Sequence, residues 1–233
     1  MNDLDFSSFR ALTFDCYGTI IDWETGILAA MRPAFERRGV DAGDDELLEA
    51  FGVAEAEVEA GPYKRYRDVL GDVLVRIARD RGFEPSAEEV ASFGGSVGEW
   101  PPFSDSIEAL RKLAGRFRLG VITNCDDDLF AATSGRLGVT FDPVVTAQQV
   151  GSYKPNHRSF EVMFDRLGLP RDQILHVAQS LFHDHVPAKE LGLSTVWVDR
   201  RQGRAGSGAT KRAEAAPDLV VPDLATLAEV AGV

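Results

Sequence analysis

Apolar residues follow two rhythms along this chain, and the places where one gives way to the other mark out its organisation. A short run from Phe9 to Phe14 has the β-type pattern of a buried strand and ends on Asp15, with a turn through Gly18 straight after it. From about residue 24 to residue 99 the spacing becomes helical throughout. Ile27 to Arg38 is amphipathic and stops at Gly39. Asp44 to Glu59 is rich in Ala and Glu and stops at Gly61-Pro62. Tyr66 to Arg81 places Val69, Leu70, Val73, Leu74 and Ile77 on one face, and Ser86 with Glu89 forms a capping box that opens a further helix. The stiff segment Trp100-Pro101-Pro102-Phe103 closes the interval and suits a hinge.

From Ser104 onward strand-like and helix-like segments alternate. Helices are expected over Ile107–Ala114, near Leu129–Leu137, over Arg158–Leu167, near Val186–Leu191 and over Leu224–Val230. Strands are expected at Leu119–Ile122, Val144–Val145, Ile174–Val177, Thr195–Val198 and Leu219–Val221. Such alternation predicts an α/β fold, a Rossmann-like parallel sheet core with an inserted all-helical cap domain. The core is assigned to residues 1–22 and 101–233 and the cap to residues 23–100, placed to cover the carboxyl edge of the sheet. Arg201 to Ala216, rich in Gly, Arg and Ala, reads as a mobile surface loop.

The 233 residues are enough for a full core, and 44% hydrophobic with 27% charged residues is ordinary globular composition. No apolar run approaches the ~20 residues of a membrane span. The acidic start Met1-Asn2-Asp3-Leu4-Asp5 lacks the order of a signal peptide, so a cytoplasmic location is expected. A net charge of −12 excludes a nucleic-acid partner but leaves room for a small anionic substrate in a locally positive pocket. Two cysteines, Cys16 and Cys125, cannot build a metal cluster and read as small buried residues.

Four expected strand ends carry polar groups. The first gives Asp15, Tyr17 and Thr19, and the second Thr123 and Asn124 ahead of Asp126-Asp127-Asp128. Ser152-Tyr153-Lys154-Pro155 follows, with Pro155 placed to open a helix. The fourth is Ala178-Gln179-Ser180-Leu181-Phe182-His183-Asp184. In this order, with the helical interval between the first and second, the set resembles the haloacid dehalogenase superfamily over nearly the whole chain. Within it, Asp15-Cys16-Tyr17-Gly18-Thr19 and the helical cap are similar to the 2-haloacid dehalogenase branch.

The resemblance implies Asp15 as nucleophile, Thr123 as the second-motif hydroxyl, Lys154 as the third-motif lysine and Asp184 as the fourth-motif acid. Superfamily phosphatases carry a second Asp two residues after the nucleophile, where this chain has Tyr17. With a reference pKa near 10, a tyrosine is poorly matched to shuttling protons for a leaving alkoxide, whereas halide leaves without one. The phosphatases' Gly-Asp of the fourth motif is replaced by Ala178-Gln179, so one magnesium carboxylate is missing. No cofactor is expected and magnesium is not favoured.

The implied reaction is attack of Asp15 on C2 of a 2-haloacid, loss of halide, and hydrolysis of the aspartyl ester to a 2-hydroxy acid. Lys154 would keep Asp15 ionised, Asp184 would act on the hydrolytic water directly or by holding Lys154, and Tyr17, Thr19, Thr123, Asn124 and Ser180 would hold substrate or nucleophile. The branch also uses a cap arginine for halide; Arg65 and Arg67 are the local candidates, in a cluster that otherwise reads as a solvated helix start. This chain departs from the branch at Ala178-Gln179-Ser180 and at Phe160, where the branch has Ser-Ser-Asn and Tyr. His183 and His185 flank Asp184 and suggest a proton relay, although one can be an ordinary packed residue. Three alternatives stay open: opening of another activated C–X bond such as a strained-ring amine, with a proton from His183 or Tyr17; a phosphatase with a rebuilt site; and a non-catalytic binding protein. Either a monomer or a homodimer is compatible.

Overall fold

In a computed structural model, residues 4–203 and 208–233 are described. Six parallel strands form one sheet in the order β3-β2-β1-β4-β5-β6, with β1 (Ala11–Phe14), β2 (Arg118–Thr123), β3 (Val144–Thr146), β4 (Ile174–Ala178), β5 (Ser194–Val198) and β6 (Leu219–Val221). Central strands of a parallel sheet are covered on both faces and therefore read as unbroken apolar runs. All four residues of β1 are buried, and only the first residue of β2 is exposed.

The chain adds β2 and β3 on one side of β1 and then crosses to add β4, β5 and β6 on the other. A crevice opens where the winding reverses, at the carboxyl ends of β1 and β4. Phe14 stands opposite Val121 on one side and Val177 on the other, so Asp15 emerges between two neighbouring strand ends.

Four helices follow β1: α1 (Trp23–Glu36), α2 (Asp44–Glu59), α3 (Tyr66–Asp80) and α4 (Ala87–Gly95). Helix α1 begins four residues earlier than the apolar spacing suggests, because the Asp22 carboxylate accepts the Thr25 N–H at 3.2 Å and caps it. Ser86 and Glu89 form the expected reciprocal cap on α4. Around the sheet lie α5 (Ser106–Ala114), α6 (Asp127–Leu137), the single turn α7 (Ala147–Val150), α8 (Arg158–Leu167), α9 (Val186–Glu190) and α10 (Leu224–Val230). Pro155 does not open a helix: α8 starts at Arg158, whose N–H is accepted by the Asn156 side chain at 2.9 Å. A π turn, Leu181–His185, precedes α9 and lies directly after the β4 crevice.

One apolar cluster is continuous from Phe14, Val121 and Leu175 of the sheet through Ile20 and Ile27 to Phe51 and Leu70 of the helical layer. Sheet and helices thus share a single core above the strand ends. Trp100 joins them: an added Cβ on Gly26 of α1 would lie 2.2 Å from its ring, so only glycine lets the two approach.

Within the Arg201–Ala216 stretch, residues 204–207 lie outside the described residues; Gln202, Gly203, Lys211 and Arg212 are exposed as a surface loop requires, and the expectation fails only at residues 208–210, which are buried. Ala209 is 1% exposed, its N–H reaches Glu24, and its carbonyl packs where a side chain on Gly52 of α2 would collide at 2.8 Å. Thr210 donates to the Gln179 side chain at 3.3 Å. This strap fixes α2 against the mouth of the crevice.

Candidate active site

The loop after β1 winds tightly because Gly18 adopts φ +91°, and an added Cβ there would meet the Trp23 and Gln179 side chains at 3.0 and 3.3 Å. That turn returns Thr19 to Asp15: the Thr19 hydroxyl donates to Asp15 Oδ2 at 2.7 Å and accepts the Gln179 N–H at 2.8 Å. Arg200, stacked on Phe103 at 4.0 Å, donates to the Thr19 carbonyl at 2.8 and 3.1 Å and pins the same loop from behind.

Lys154 lies 2% exposed at the centre of the site. Its ammonium donates to Asp15 Oδ1 at 2.8 Å, Asp184 Oδ1 at 2.7 Å and the Ile122 carbonyl at 3.0 Å. All three ammonium protons therefore have acceptors. Asn124 sets the lysine's backbone, accepting the Lys154 N–H at 2.7 Å and donating to its carbonyl at 3.2 Å. His176, in the middle of β4, bonds Asp184 Oδ1 through Nε2 at 3.1 Å and the Thr13 hydroxyl through Nδ1 at 2.9 Å.

Burial would raise the Asp184 pKa, but Lys154 and His176 outweigh it and hold the carboxyl well below the usual range. Burial would lower Lys154, and the two aspartates raise it instead. For Asp15 burial wins over Lys154 and Thr19, and its pKa is raised.

Above this floor, a small cavity of about 30 Å³ is roofed by the helical layer through Trp23, Glu55, Glu59 and Tyr66. Tyr66 donates to Glu55 at 2.7 Å, while Glu59 has, among the described residues, a long 3.4 Å contact from the Asn124 amide and His183 Nε2 at 3.8 Å. Burial pushes Glu55 up to about 7 and Glu59 well above the ordinary carboxylate range, the latter with a further push from Glu55.

Asp15, Lys154, Asp184, Tyr17, Asn124 and Ser180 all line this cavity, and Thr19 touches Asp15 from outside it. Thr123 is buried just behind it, its hydroxyl without a hydrogen-bond partner among the described residues. The Tyr17 hydroxyl is 3.0 Å from Thr133 Oγ1 and accepts the Cys125 thiol at 3.6 Å, and burial raises its pKa. Ser180 caps the π turn by accepting the His183 N–H at 2.9 Å.

Arg65 and Arg67 stand elsewhere. Arg65 is exposed at the start of α3, and Arg67 pairs with Asp126 and Asp128 at the start of α6. Neither lines the cavity that holds Asp15, and Asp126 anchors the start of α3 by accepting the N–H groups of Tyr66 and Arg67. Of the two histidines, His183 lines the cavity, and His185 is buried on the Ala178 carbonyl at 2.9 Å. Burial lowers both to about 4, so both are neutral near pH 7. Cys16 and Cys125 are buried and unpaired. Phe160 packs its edge on His176 at 5.1 Å.

Magnesium does not suit this donor set. Asp15 spends both oxygens on Lys154 and Thr19, Asp184 Oδ1 is shared between Lys154 and His176, and Gln179 offers no charge. Among the described residues no group of three or more His, Cys, Asp or Glu side chains could hold a metal ion.

A family model described as haloacid dehalogenase-like hydrolase matches residues 9–181, from just before β1 to the first residue of the π turn. The chain belongs to this family. Similar family proteins include the (S)-2-haloacid dehalogenase of Pseudomonas fluorescens, 28% identical over 94% of this chain and 95% of that protein. The enzyme of the same name from Pseudomonas putida is 23% identical over 94% and 95%. Among solved structures, L-2-haloacid dehalogenase from Xanthobacter autotrophicus superposes with a TM-score of 0.80 at 23% identity, covering 95% of this chain and 98% of that one. The shared sheet and helical layer thus carry over at the level of fold. No helix among the described residues is long and apolar enough to cross a membrane.

Proposed function

We propose that this hydrolase opens the carbon–halogen bond of a small 2-haloacid through an ester on Asp15, without a metal, in the cytoplasm. The observation that carries the reading is the ammonium of Lys154 held between two buried carboxylates at the cavity floor, with only one of those carboxylates facing a tightly built turn. Lys154 and Thr19 fix both Asp15 oxygens, so the carboxylate meets the substrate in one orientation and little entropy is lost on reaching the transition state. Asp15 attacks C2, the C2–halogen bond breaks with its electron pair on the halide, and no proton is needed. Water then attacks the ester carbonyl carbon of Asp15, the bond from that carbon to the oxygen on C2 breaks, one water proton leaves with the 2-hydroxy acid and the other passes to solvent, and Asp15 regains its carboxylate. Asp184 Oδ2 is buried and has no hydrogen-bond partner among the described residues, which leaves it available to hold that water.

The floor argues against phosphate esters. An alkoxide leaving group needs a proton, and the Tyr17 hydroxyl is tied to Thr133 and Cys125 with its pKa raised. A single turnover in heavy-oxygen water, followed by peptide mass analysis, tests the reading. Label is expected in Asp15 during halide release from 2-chloropropionate; halide release with no label there, or robust magnesium-stimulated turnover of an aryl phosphate, overturns it.

A further inference from the structure

The cavity's roof is chemically unlike a site for a plain anion. Its lining sets Asp15, Asp184, Glu55 and Glu59 against one ammonium, Lys154, which is already saturated by the two aspartates and a carbonyl. No arginine lines it among the described residues. A substrate carboxylate entering here is left to neutral donors such as Asn124 and Ser180, and the surplus negative charge of the lining calls for a cation elsewhere on the substrate.

Glu55 and Glu59 are one helical turn apart on α2, and both face the cavity rather than solvent. Glu59 is only 6% exposed and lacks a strong donor. Beside it His183 Nε2 is buried with no hydrogen-bond partner among the described residues, 3.8 Å from Glu59 Oε2. Asp184 Oδ2 is orphaned in the same cavity. Buried polar atoms are almost always partnered, so a cavity with several orphans is shaped for a polar ligand. The rings of Trp23, Tyr17 and Tyr66 complete the lining, and aromatic faces also favour a cation over an anion.

We propose that Glu55 and Glu59 form an ammonium-binding subsite, and that the substrate is a small 2-haloacid carrying a protonated amine on its chain. This rests on Asp15 being the ester-forming nucleophile and specifies what it acts on. The ammonium sits under α2 against the two glutamates and C2 faces Asp15. The displacement keeps its balance: the Asp15 O–C2 bond forms, the C2–halogen pair leaves as halide, and water restores Asp15, giving an amino 2-hydroxy acid. The amine takes no part in bond making.

The subsite also has a proton signature. Tyr66, Cys125, Lys154, His183 and the two aspartates surround the glutamates, and burial with mutual repulsion favours their neutral acids in the empty cavity. An incoming ammonium favours the carboxylates, so protons are released on binding. An incoming carboxylate would favour the acids and take protons up.

The test pairs molecules that differ only in NH₃⁺ for CH₃. With wild-type protein, halide release is measured from 3-amino-2-chloropropionate and from 2-chlorobutyrate. The amino compound is expected to be preferred by about tenfold to a hundredfold in kcat/KM, the range of a charge-assisted contact. The E55Q/E59Q double variant should lose that preference. In parallel, calorimetry near pH 7 in buffers of different ionisation enthalpy follows β-alanine and butyrate binding to wild-type protein, with proton release expected for β-alanine. Equal or better use of 2-chlorobutyrate, or butyrate binding more tightly than β-alanine, overturns the subsite while leaving Asp15 untouched. Halide release that survives D15N overturns the nucleophile instead. If neither chloro compound reacts, the sign of the proton change with β-alanine still decides the subsite, and it does not require the variant to fold.

Discussion

The floor and the roof of the cavity are equally buried and equally rich in carboxylates, yet they are built on opposite terms. On the floor, Asp15 and Asp184 share one ammonium, and His176, Thr13, Thr19 and the Gln179 N–H extend the network in both directions. On the roof, Glu59 has one long hydrogen bond, and His183 Nε2, 3.8 Å from it, has no hydrogen-bond partner among the described residues. A buried charge is tolerated when fully partnered, and otherwise it neutralises itself. The floor is therefore ionic before substrate arrives, and the roof becomes ionic when a ligand supplies the missing charge.

The largest break in this comparison comes from D15N, which should cut halide release by on the order of 10⁴-fold or more while leaving the fold intact, read by steady-state halide assay and circular dichroism. Next, Lys154→Met leaves two buried carboxylates without their cation; a loss of about 3–5 kcal/mol is expected in a denaturant melt at neutral pH. If stability is unchanged, the floor is not held together by that ion pair.

A pH profile sharpens the contrast. Asp15 must be ionised to attack, and its pKa is raised, so activity should fall away on acidification at a pH above the usual aspartate range of about 3.9. Thr19→Val removes a hydrogen bond to the ionised form and should move that limb further up. The smallest effect belongs to the roof's scaffold: Ser86→Ala deletes the capping box of α4 and should cost about 1 kcal/mol with kcat unaltered.

Much of this was legible in the sequence because its carriers are local. Strand ends, the Ser86–Glu89 box and the α2, α8 and α10 limits follow from spacing within a few residues. The two carboxylates that converge on Lys154, Asp15 and Asp184, were readable as strand-end polar residues, since parallel topology brings such ends to one edge, whereas the Ile122 carbonyl was not. What was missed depended on which face a helix turns inward. Glu55 and Glu59 lie in a helix read only as rich in Ala and Glu, yet Glu55 is one turn after buried Phe51, on the apolar face. That register was the available signal. His176 was hidden inside an apolar strand, where a lone histidine beside the Asp15 strand invites a partner. Arg65 and Arg67 misled because the contact that orients α3 comes from Asp126, far along the chain.

That last contact has a consequence for timing. Asp126 is fully buried, and its carboxylate terminates a helix on the other side of the cavity, accepting both Tyr66 and Arg67 N–H groups besides the Arg67 side chain. Any passage of substrate or product that lifts α3 strips that helix of its cap and exposes an ion pair to solvent ions in the same motion. The clasp would then act as the escapement of the catalytic cycle, and turnover limited by release should quicken with ionic strength even though the chemistry beneath it does not.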